Sequence, residues 1–104
     1  MPTAQEFFDT LPSRVSPDRI EGMNNTYVFD IEGAGTWTVK VADGAVTVTD
    51  GAEDAEDADC TFSASEETFE KIASGEQNAT TAYMTGKLKI KGDMGAAMKL
   101  QKIF

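Results

Sequence analysis

The chain has 104 residues and a formal net charge of −9, from 18 acidic and nine basic residues. This length fits one domain with one modest hydrophobic core, and the negative charge repels nucleic acid, so the protein is not expected to bind it. The single cysteine, Cys60, excludes an internal disulfide. Because the N-terminal stretch MPTAQEFFD lacks the basic end and apolar run of a secretory signal, we expect a cytoplasmic protein.

The N-terminal segment has the pattern of an amphipathic helix. Thr3 and Glu6 form a capping box, whose side-chain oxygens accept hydrogen bonds from backbone N–H groups at the start of a helix. Apolar residues then recur at helical spacing, with Phe7 and Phe8 on one stripe. Pro12 is predicted to end this helix, since proline lacks the backbone N–H that a helix interior uses.

From Tyr27 onward apolar and polar residues alternate, which predicts strands. The inward face of the first two strands contains Tyr27, Phe29, Ile31, Trp37, Val39 and Val41. Asp43-Gly44 is typical of a tight hairpin turn, so we expect three strands in an antiparallel meander. The segment 50–59 (DGAEDAEDAD) contains six acids and no bulky apolar side chain, which predicts a solvated loop. It lacks the ligand spacing of a calcium loop, and no metal site is predicted.

The second half of the chain alternates strands with short helices. Cys60, Phe62 and Ala64 predict a fourth strand, and Ser65 is a good N-cap for a helix that carries Phe69 and Ile72. After this helix, Asn78 is expected to cap another short helix that turns Tyr83 and Met84 inward.

The chain ends in a strand and a helix. Leu88 and Ile90 alternate with lysines in a fifth strand, and Asp93 is expected to cap the last helix. We expect Met94, Ala97 and Met98 to point inward from this helix. Because each strand has one apolar and one polar face, the predicted fold class is α+β. It consists of a five-stranded, mostly antiparallel sheet covered on one face by helices.

Three parts of the sequence carry a resemblance to a known family. They are the joint GKLKIKGDMGAAMKLQ, the Gly35-Thr36-Trp37 segment followed by Asp43-Gly44, and Ala58-Asp59-Cys60 leading into Ser65–Gly75. Together they resemble the sterol carrier protein two domain, and the resemblance spans the whole chain as one domain, residues 1–104. It implies an apolar tunnel between sheet and helices that takes a sterol, fatty acid, phospholipid or fatty acyl-CoA, with no catalytic centre and no cofactor.

The resemblance and the inward positions together predict the residues that line the tunnel. These are Phe7, Phe8, Phe29, Trp37, Val39, Phe62, Phe69, Ile72, Tyr83, Met84, Leu88, Ile90, Met94, Ala97 and Met98. An empty cavity of ~300 Å³ would cost about 7 kcal/mol. We therefore expect either a bound lipid or a last helix that settles inward through its methionines, which repack easily around different shapes.

The residues argue against catalysis in this domain. The chain contains no histidine, and no carboxylate stands among the inward-facing positions, so general acid–base groups are lacking there. Three functions stay open: carriage of a hydrophobic ligand, presentation of lipid substrates to a separate enzyme, and a plain interaction domain with a filled core. We expect a monomer that makes transient contact with membranes.

Overall fold

The computed structural model describes residues 3–51 and 58–99. It contains one five-stranded sheet with helices on one face, which confirms the predicted α+β class. Along the chain the elements are α1 (Ala4–Arg14), a 3-10 turn (Pro17–Arg19), β1 (Asn25–Glu32), β2 (Gly35–Ala42), β3 (Ala45–Asp50), β4 (Cys60–Ser65), α2 (Glu66–Ala73), α3 (Ala79–Met84), β5 (Leu88–Gly92) and α4 (Met94–Lys99).

The strands lie in the order β3-β2-β1-β4-β5. β1, β2 and β3 form the predicted antiparallel meander, and β5 is antiparallel to β4. β1 and β4 pair in parallel at the middle of the sheet, so the sheet is mixed. The predicted acidic loop lies mostly outside the described residues, since only its two ends, 50–51 and 58–59, are described.

The register places the large inward side chains in one row across the sheet. Phe29 on β1 lies opposite Trp37 on β2 and opposite Phe62 on β4. Phe62 in turn lies opposite Ile90 on β5. The row follows from the alternation in each strand, because residues two apart share a face of the sheet.

The helix starts are capped as the sequence predicts. The Thr3 hydroxyl accepts a hydrogen bond from the Glu6 N–H at 3.1 Å, and the Ser65 hydroxyl accepts one from Thr68 at 3.2 Å. The side-chain oxygen of Asn78 accepts one from the Thr80 N–H at 2.8 Å. Each cap satisfies a backbone donor that has no partner within its own helix.

The predicted end of α1 at Pro12 is wrong, because the helix continues to Arg14. A proline removes only its own N–H from the helix, and here that loss falls in the last turn. Two side chains supply other donors to nearby carbonyls: Ser13 donates to Thr10 at 2.9 Å and Arg14 donates to Phe7 at 3.3 Å. The proline therefore shortens the helix less than the sequence suggests.

The second face of the sheet is less polar than the alternation predicts. Val28 and Thr38 lie opposite each other on this face, and both are buried. The Thr38 hydroxyl donates a hydrogen bond to the Gly51 carbonyl at 2.7 Å, so the chain meets this face where it leaves β3. The hydrogen bond removes the cost of burying the hydroxyl.

Candidate functional site

The candidate site is the contact layer between the inward face of the sheet and helices α1–α4, which we call the seam. At its β1–β2 end, the ring of Phe8 stacks between two other rings. Its centroid lies 4.6 Å from that of Trp37, with 20° between the planes, and 5.3 Å from that of Phe69, with 14° between the planes. Phe8 is 0% exposed. This half of the seam is closely packed by aromatic side chains.

The other half of the seam is covered by much smaller side chains. α3 and α4 are six residues long each, and their buried residues are alanines: Ala82 on α3, Ala96 and Ala97 on α4. Both helices contact β5. Among the described residues the large buried rings of the helix layer therefore come from α1 and α2, whereas α3 and α4 bury only alanines; we call the part of the seam under α3 and α4 the thin half.

The expected inward direction of four side chains is wrong. Tyr83, Met84, Met94 and Met98 are exposed, Met84 by 80% and Met98 by 67%. On α3, Ala82 takes the inward direction, and at 100° per residue the next two side chains turn away from the sheet. On α4, Ala96 and Ala97 do the same. The last helix thus settles on the sheet through its alanines, not its methionines.

Most of the other predicted tunnel residues do meet in the seam. Those that are buried are Phe7, Phe8, Phe29, Trp37, Val39, Phe62, Phe69, Leu88 and Ala97. Ile72 and Ile90 are partly buried and pack against the same core. Burial alone does not separate a core residue from a ligand contact, so the tunnel lining stays a prediction.

Surface depressions of the described residues include two that lie outside the seam. One, of about 560 Å³, is on the polar face beside β5 and is lined by side chains that include Asp30, Ser63 and Lys89. The other, of about 550 Å³, lies near the 3-10 turn and includes Asp18 and Asp43. Their polar linings do not suit an apolar ligand.

Two side-chain hydrogen bonds that sequence reasoning missed attach α4 to the sheet. The Tyr27 hydroxyl donates to the Ala96 carbonyl at 2.7 Å, and the Cys60 thiol donates to the Asp93 carbonyl at 2.6 Å. The signal was present in the sequence, since an inward-facing tyrosine needs a partner for its hydroxyl. Cys60 is buried, as predicted from its strand position.

The same contacts change the titration of both groups. Burial raises the pKa of the Tyr27 phenol, and the acidic groups of Cys60, Asp59 and Asp93 raise it further. Burial also raises the pKa of the Cys60 thiol, with Asp93 and Asp59 adding to the effect. Cys60 is therefore a protonated, unreactive thiol at neutral pH.

Replacing Tyr27 with phenylalanine tests the attachment of α4. The Ala96 carbonyl loses its donor, so we expect a loss of about 1 to 3 kcal/mol in the free energy of unfolding at neutral pH. The folded protein holds the Tyr27 proton more tightly than the unfolded chain, whose tyrosine pKa is about 10. The stability from this group is therefore complete below pH ~10 and decreases as the pH rises above it.

Urea unfolding at neutral and alkaline pH measures both effects. The Tyr27→Phe protein should be less stable at neutral pH but lose less stability in alkali than the wild type. Tyr83→Phe is the matched control, since Tyr83 is exposed, and it should change neither value. Equal behaviour of the two variants would show that the Tyr27 hydroxyl does not hold α4.

Two further properties concern the described part of the chain. Its cysteine, aspartate and glutamate side chains form no group of three or more that could hold a metal ion. Its helices are all too short or too polar to cross a bilayer.

The mixed sheet, its helices on one face and the apolar seam between them define a two-layer domain of the sterol carrier type. The solution structure of the sterol carrier protein domain 2 of Helicoverpa armigera superimposes with a TM-score of 0.75 and 30% identity, covering 91% of this chain and 80% of that one. The model of the SCP-2 sterol transfer family matches residues 5–104. The chain belongs to this family.

Other similar proteins include a much longer curated relative and the solved structure of a palmitated protein. Hydroxysteroid dehydrogenase-like protein 2 of Danio rerio is 37% identical over 100 residues, which cover 94% of this chain and 24% of that protein. The chain thus spans about a quarter of the length of the curated relatives it matches. The solution structure of palmitated SCP2L2 from Aedes aegypti has the same fold, with a TM-score of 0.73 and 20% identity, and covers 98% of this chain and 94% of that one.

Proposed function

We propose that this domain binds a hydrophobic ligand in the seam and carries it without catalysis. The ligand classes are those that the family resemblance implies: a sterol, fatty acid, phospholipid or fatty acyl-CoA. The single observation that carries the proposal is the unequal size of the side chains that the described helices bury, which are aromatic rings on α1 and α2 but alanines on α3 and α4.

The close packing of the aromatic half argues against a site there. Phe8 and Val39 are 0% exposed in this half. A guest in the aromatic half would have to separate stacked rings, which are close-packed. In the thin half, outward movement of α3 would lose little buried apolar surface, because its buried residue is an alanine, whereas α4 is held by the hydrogen bonds from Tyr27 and Cys60.

The chemistry of the thin half suits an acyl chain or a sterol. Its walls are the apolar side chains of Phe62, Ile72, Leu88 and Ile90. Tyr27, the polar group nearby, already donates its hydroxyl to Ala96, so it adds no unpaired donor to the site. The palmitated relative from Aedes aegypti has this fold and supports a fatty acyl ligand.

An accessory function beside an enzyme is the second candidate. The observation that favours it is the match to a quarter of Hydroxysteroid dehydrogenase-like protein 2, a relative much longer than this chain. In this arrangement the domain would present a lipid to a separate catalytic unit. Both candidate functions place the ligand in the seam. They differ only in whether a separate enzyme receives the lipid.

We also propose that the protein is a monomer in the cytoplasm. Cys60 is a buried cysteine without a disulfide, and free cysteines are common in a reducing compartment. Sedimentation of the purified protein and its fractionation from cells test these two points.

Replacing Ala97 with phenylalanine tests the site by filling it. The added ring would occupy the thin half of the seam, and a ligand would then meet an overpacked site. We expect binding of cis-parinaric acid, a fluorescent fatty acid, to weaken about tenfold or more. Fluorescence titration of lipid-free protein measures the effect, and native mass spectrometry of freshly purified protein should show a bound lipid in the wild type.

Met98→Phe is the matched control, since it adds a ring at the next position of α4 but on the exposed side. It should bind the probe like the wild type, and circular dichroism should show both variants folded. If the wild type binds no probe and carries no lipid, the core is filled and the protein is an interaction domain. Equal binding by Ala97→Phe and the wild type would place the ligand elsewhere.

A further inference from the structure

The inward face of the sheet contains one buried side-chain polar atom that has no hydrogen-bond partner among the described residues. It is the carboxamide oxygen, Oδ1, of Asn25, the first residue of β1. Asn25 lies opposite Val41, which is fully buried, so the Asn25 side chain is on the inward face. A buried acceptor without a donor destabilises a folded protein, and buried polar atoms are therefore rarely left unpaired.

The hydrogen-bond donors near Asn25 already have other acceptors. The Tyr27 hydroxyl and the Cys60 thiol both donate to backbone carbonyls of the segment that enters α4, at 2.7 and 2.6 Å. The N–H of Thr26 donates to the Asp59 carboxylate at 2.7 Å. Asn25 as a whole is partly exposed, although its oxygen is buried. The described part of the fold thus leaves this acceptor to a group that enters from outside.

The inward face is polar at the Asn25 end and apolar along the other strand positions that border the thin half. Tyr27 and Cys60 lie opposite each other, and Tyr27 is two residues from Asn25 on the same face. At the far end, Ile31 shares a row with Leu88 through the strand between them. Six residues separate Asn25 from Ile31, which is about 20 Å of strand. An elongated amphiphile in the seam would therefore direct its polar end toward Asn25.

Negative charge at the polar end disfavours an anionic headgroup. The pKa of the Tyr27 phenol is raised by burial first, and then by acidic groups that include Asp59 and Asp93. The lysines of the neighbouring strands at this end, Lys40 and Lys91, lie on the polar face of the sheet, away from the seam. A carboxylate in the seam would therefore meet two nearby acids and no lysine from these strands.

The chain around the start of β1 is acidic as well. The depression near the 3-10 turn is lined by side chains that include Asp18, Glu21 and Asp43. Arg19 is the one basic residue of the segment 15–39 in the sequence. The charges that surround this end of the seam thus suit an uncharged polar group better than a carboxylate.

We propose that Asn25 selects seam ligands whose polar end is an uncharged hydroxyl group. The buried Asn25 oxygen accepts a hydrogen bond from this hydroxyl, and the apolar body of the ligand lies along the seam toward Leu88. The inference rests on the proposed ligand site and narrows its occupants. A sterol has such a hydroxyl, whereas a fatty acid at neutral pH is a carboxylate, which accepts hydrogen bonds but cannot donate one.

Competition between cholesterol and its 3-methyl ether tests the proposal, because the ether keeps the ring system and loses only the donor. Each compound displaces cis-parinaric acid from lipid-free protein. Cholesterol should displace this probe at an about tenfold lower concentration than the ether, which corresponds to one hydrogen bond to a buried acceptor. The comparison uses the wild type alone, so it does not depend on the folding of a variant.

Asn25→Leu replaces the carboxamide with an apolar group of similar size. This variant should bind cholesterol about tenfold more weakly, bind cis-parinaric acid within about twofold of the wild type, and no longer distinguish cholesterol from its ether. Its midpoint of urea unfolding should equal or exceed that of the wild type, since an unpaired buried acceptor is removed. Thr26→Val is the matched control, because Thr26 lies next to Asn25 on the other face of β1, and it should keep the full preference for cholesterol.

Equal displacement by cholesterol and the ether, from a wild type that binds cis-parinaric acid, would overturn this inference and leave the seam site standing. A preference that persists undiminished in Asn25→Leu would overturn it as well. If the wild type binds none of the three compounds, the proposed function and this inference both fail.

Discussion

Gly92→Ala is expected to destabilise the fold by at least about 3 kcal/mol. Gly92 has a φ of +119°, a conformation that residues with a Cβ rarely adopt. A Cβ at this position would overlap the backbone carbonyl oxygen of Asp59 and lie 3.0 Å from Cα of Cys60. Both neighbours are backbone atoms in the β4–β5 ladder, so a rotamer change cannot relieve the contact.

Asp59 is also held too firmly to move away. Its N–H donates to the Thr26 carbonyl at 2.8 Å, and its side chain accepts from the Thr26 N–H at 2.7 Å. Its carbonyl accepts from the Asp93 N–H at 2.8 Å, at the start of α4. The substitution therefore disturbs β1, β4 and the attachment of α4 together.

Gly86→Ala is the matched control for Gly92→Ala. Gly86 also has a positive φ, of +81°, but a Cβ there would meet no atom within 4 Å. It should cost only the conformational penalty, about 1 kcal/mol. Urea unfolding followed by circular dichroism measures both variants, and a similar loss in the two would show that the contact with Asp59 is unimportant.

Phe8→Ala should cost about 3 to 5 kcal/mol in the free energy of unfolding. The Phe8 ring is fully buried and stacks on Trp37 and Phe69, and its centroid also lies 5.2 Å from that of Phe29. Its removal would leave a cavity between rings that come from α1, α2 and two strands. The cost combines lost burial with the cavity and the broken aromatic pairs.

Met84→Ala provides the comparison for Phe8→Ala. Met84 is 80% exposed, so its truncation should change the free energy of unfolding by less than about 0.5 kcal/mol. Denaturant titration with tryptophan fluorescence is suitable, because Trp37 lies in the stack and reports its opening. A loss below about 1 kcal/mol for Phe8→Ala would mean that this half of the seam is loosely packed.

The sequence is sufficient to predict the strands and the caps. Alternation with a period of two identifies the inward residues of all five strands, and small polar residues mark the helix starts at Thr3, Ser65 and Asn78. The parallel pairing of β1 with β4 is not readable, because alternation is the same in parallel and antiparallel ladders. The burial of Val28 depends on which segment of the chain covers the second face of the sheet. The alternation within β1 does not predict that contact.

The sequence pattern also does not predict which side of α3 and of α4 faces the sheet. α3 and α4 have six residues each, and apolar side chains surround most of their circumference. A stripe in so short a helix does not choose between Ala82 and Met84, or between Ala97 and Met98. The distance between helix and sheet determines which side chain points inward, because a small side chain permits close approach of the helix and a large one does not.

Because β1 pairs with β4 at the middle of the sheet, the sheet cannot be completed during translation before β4 has been synthesised. The meander β1–β3 can close once residue 50 has left the ribosome, but β1 gains its second neighbour only after β4 emerges. The stacked contact of Phe8 with Phe69 can form only after α2, which follows β4, has been synthesised. Until α2 is complete, the aromatic surface of the nascent chain is only half covered. Exposed apolar surface of this kind is what chaperones bind.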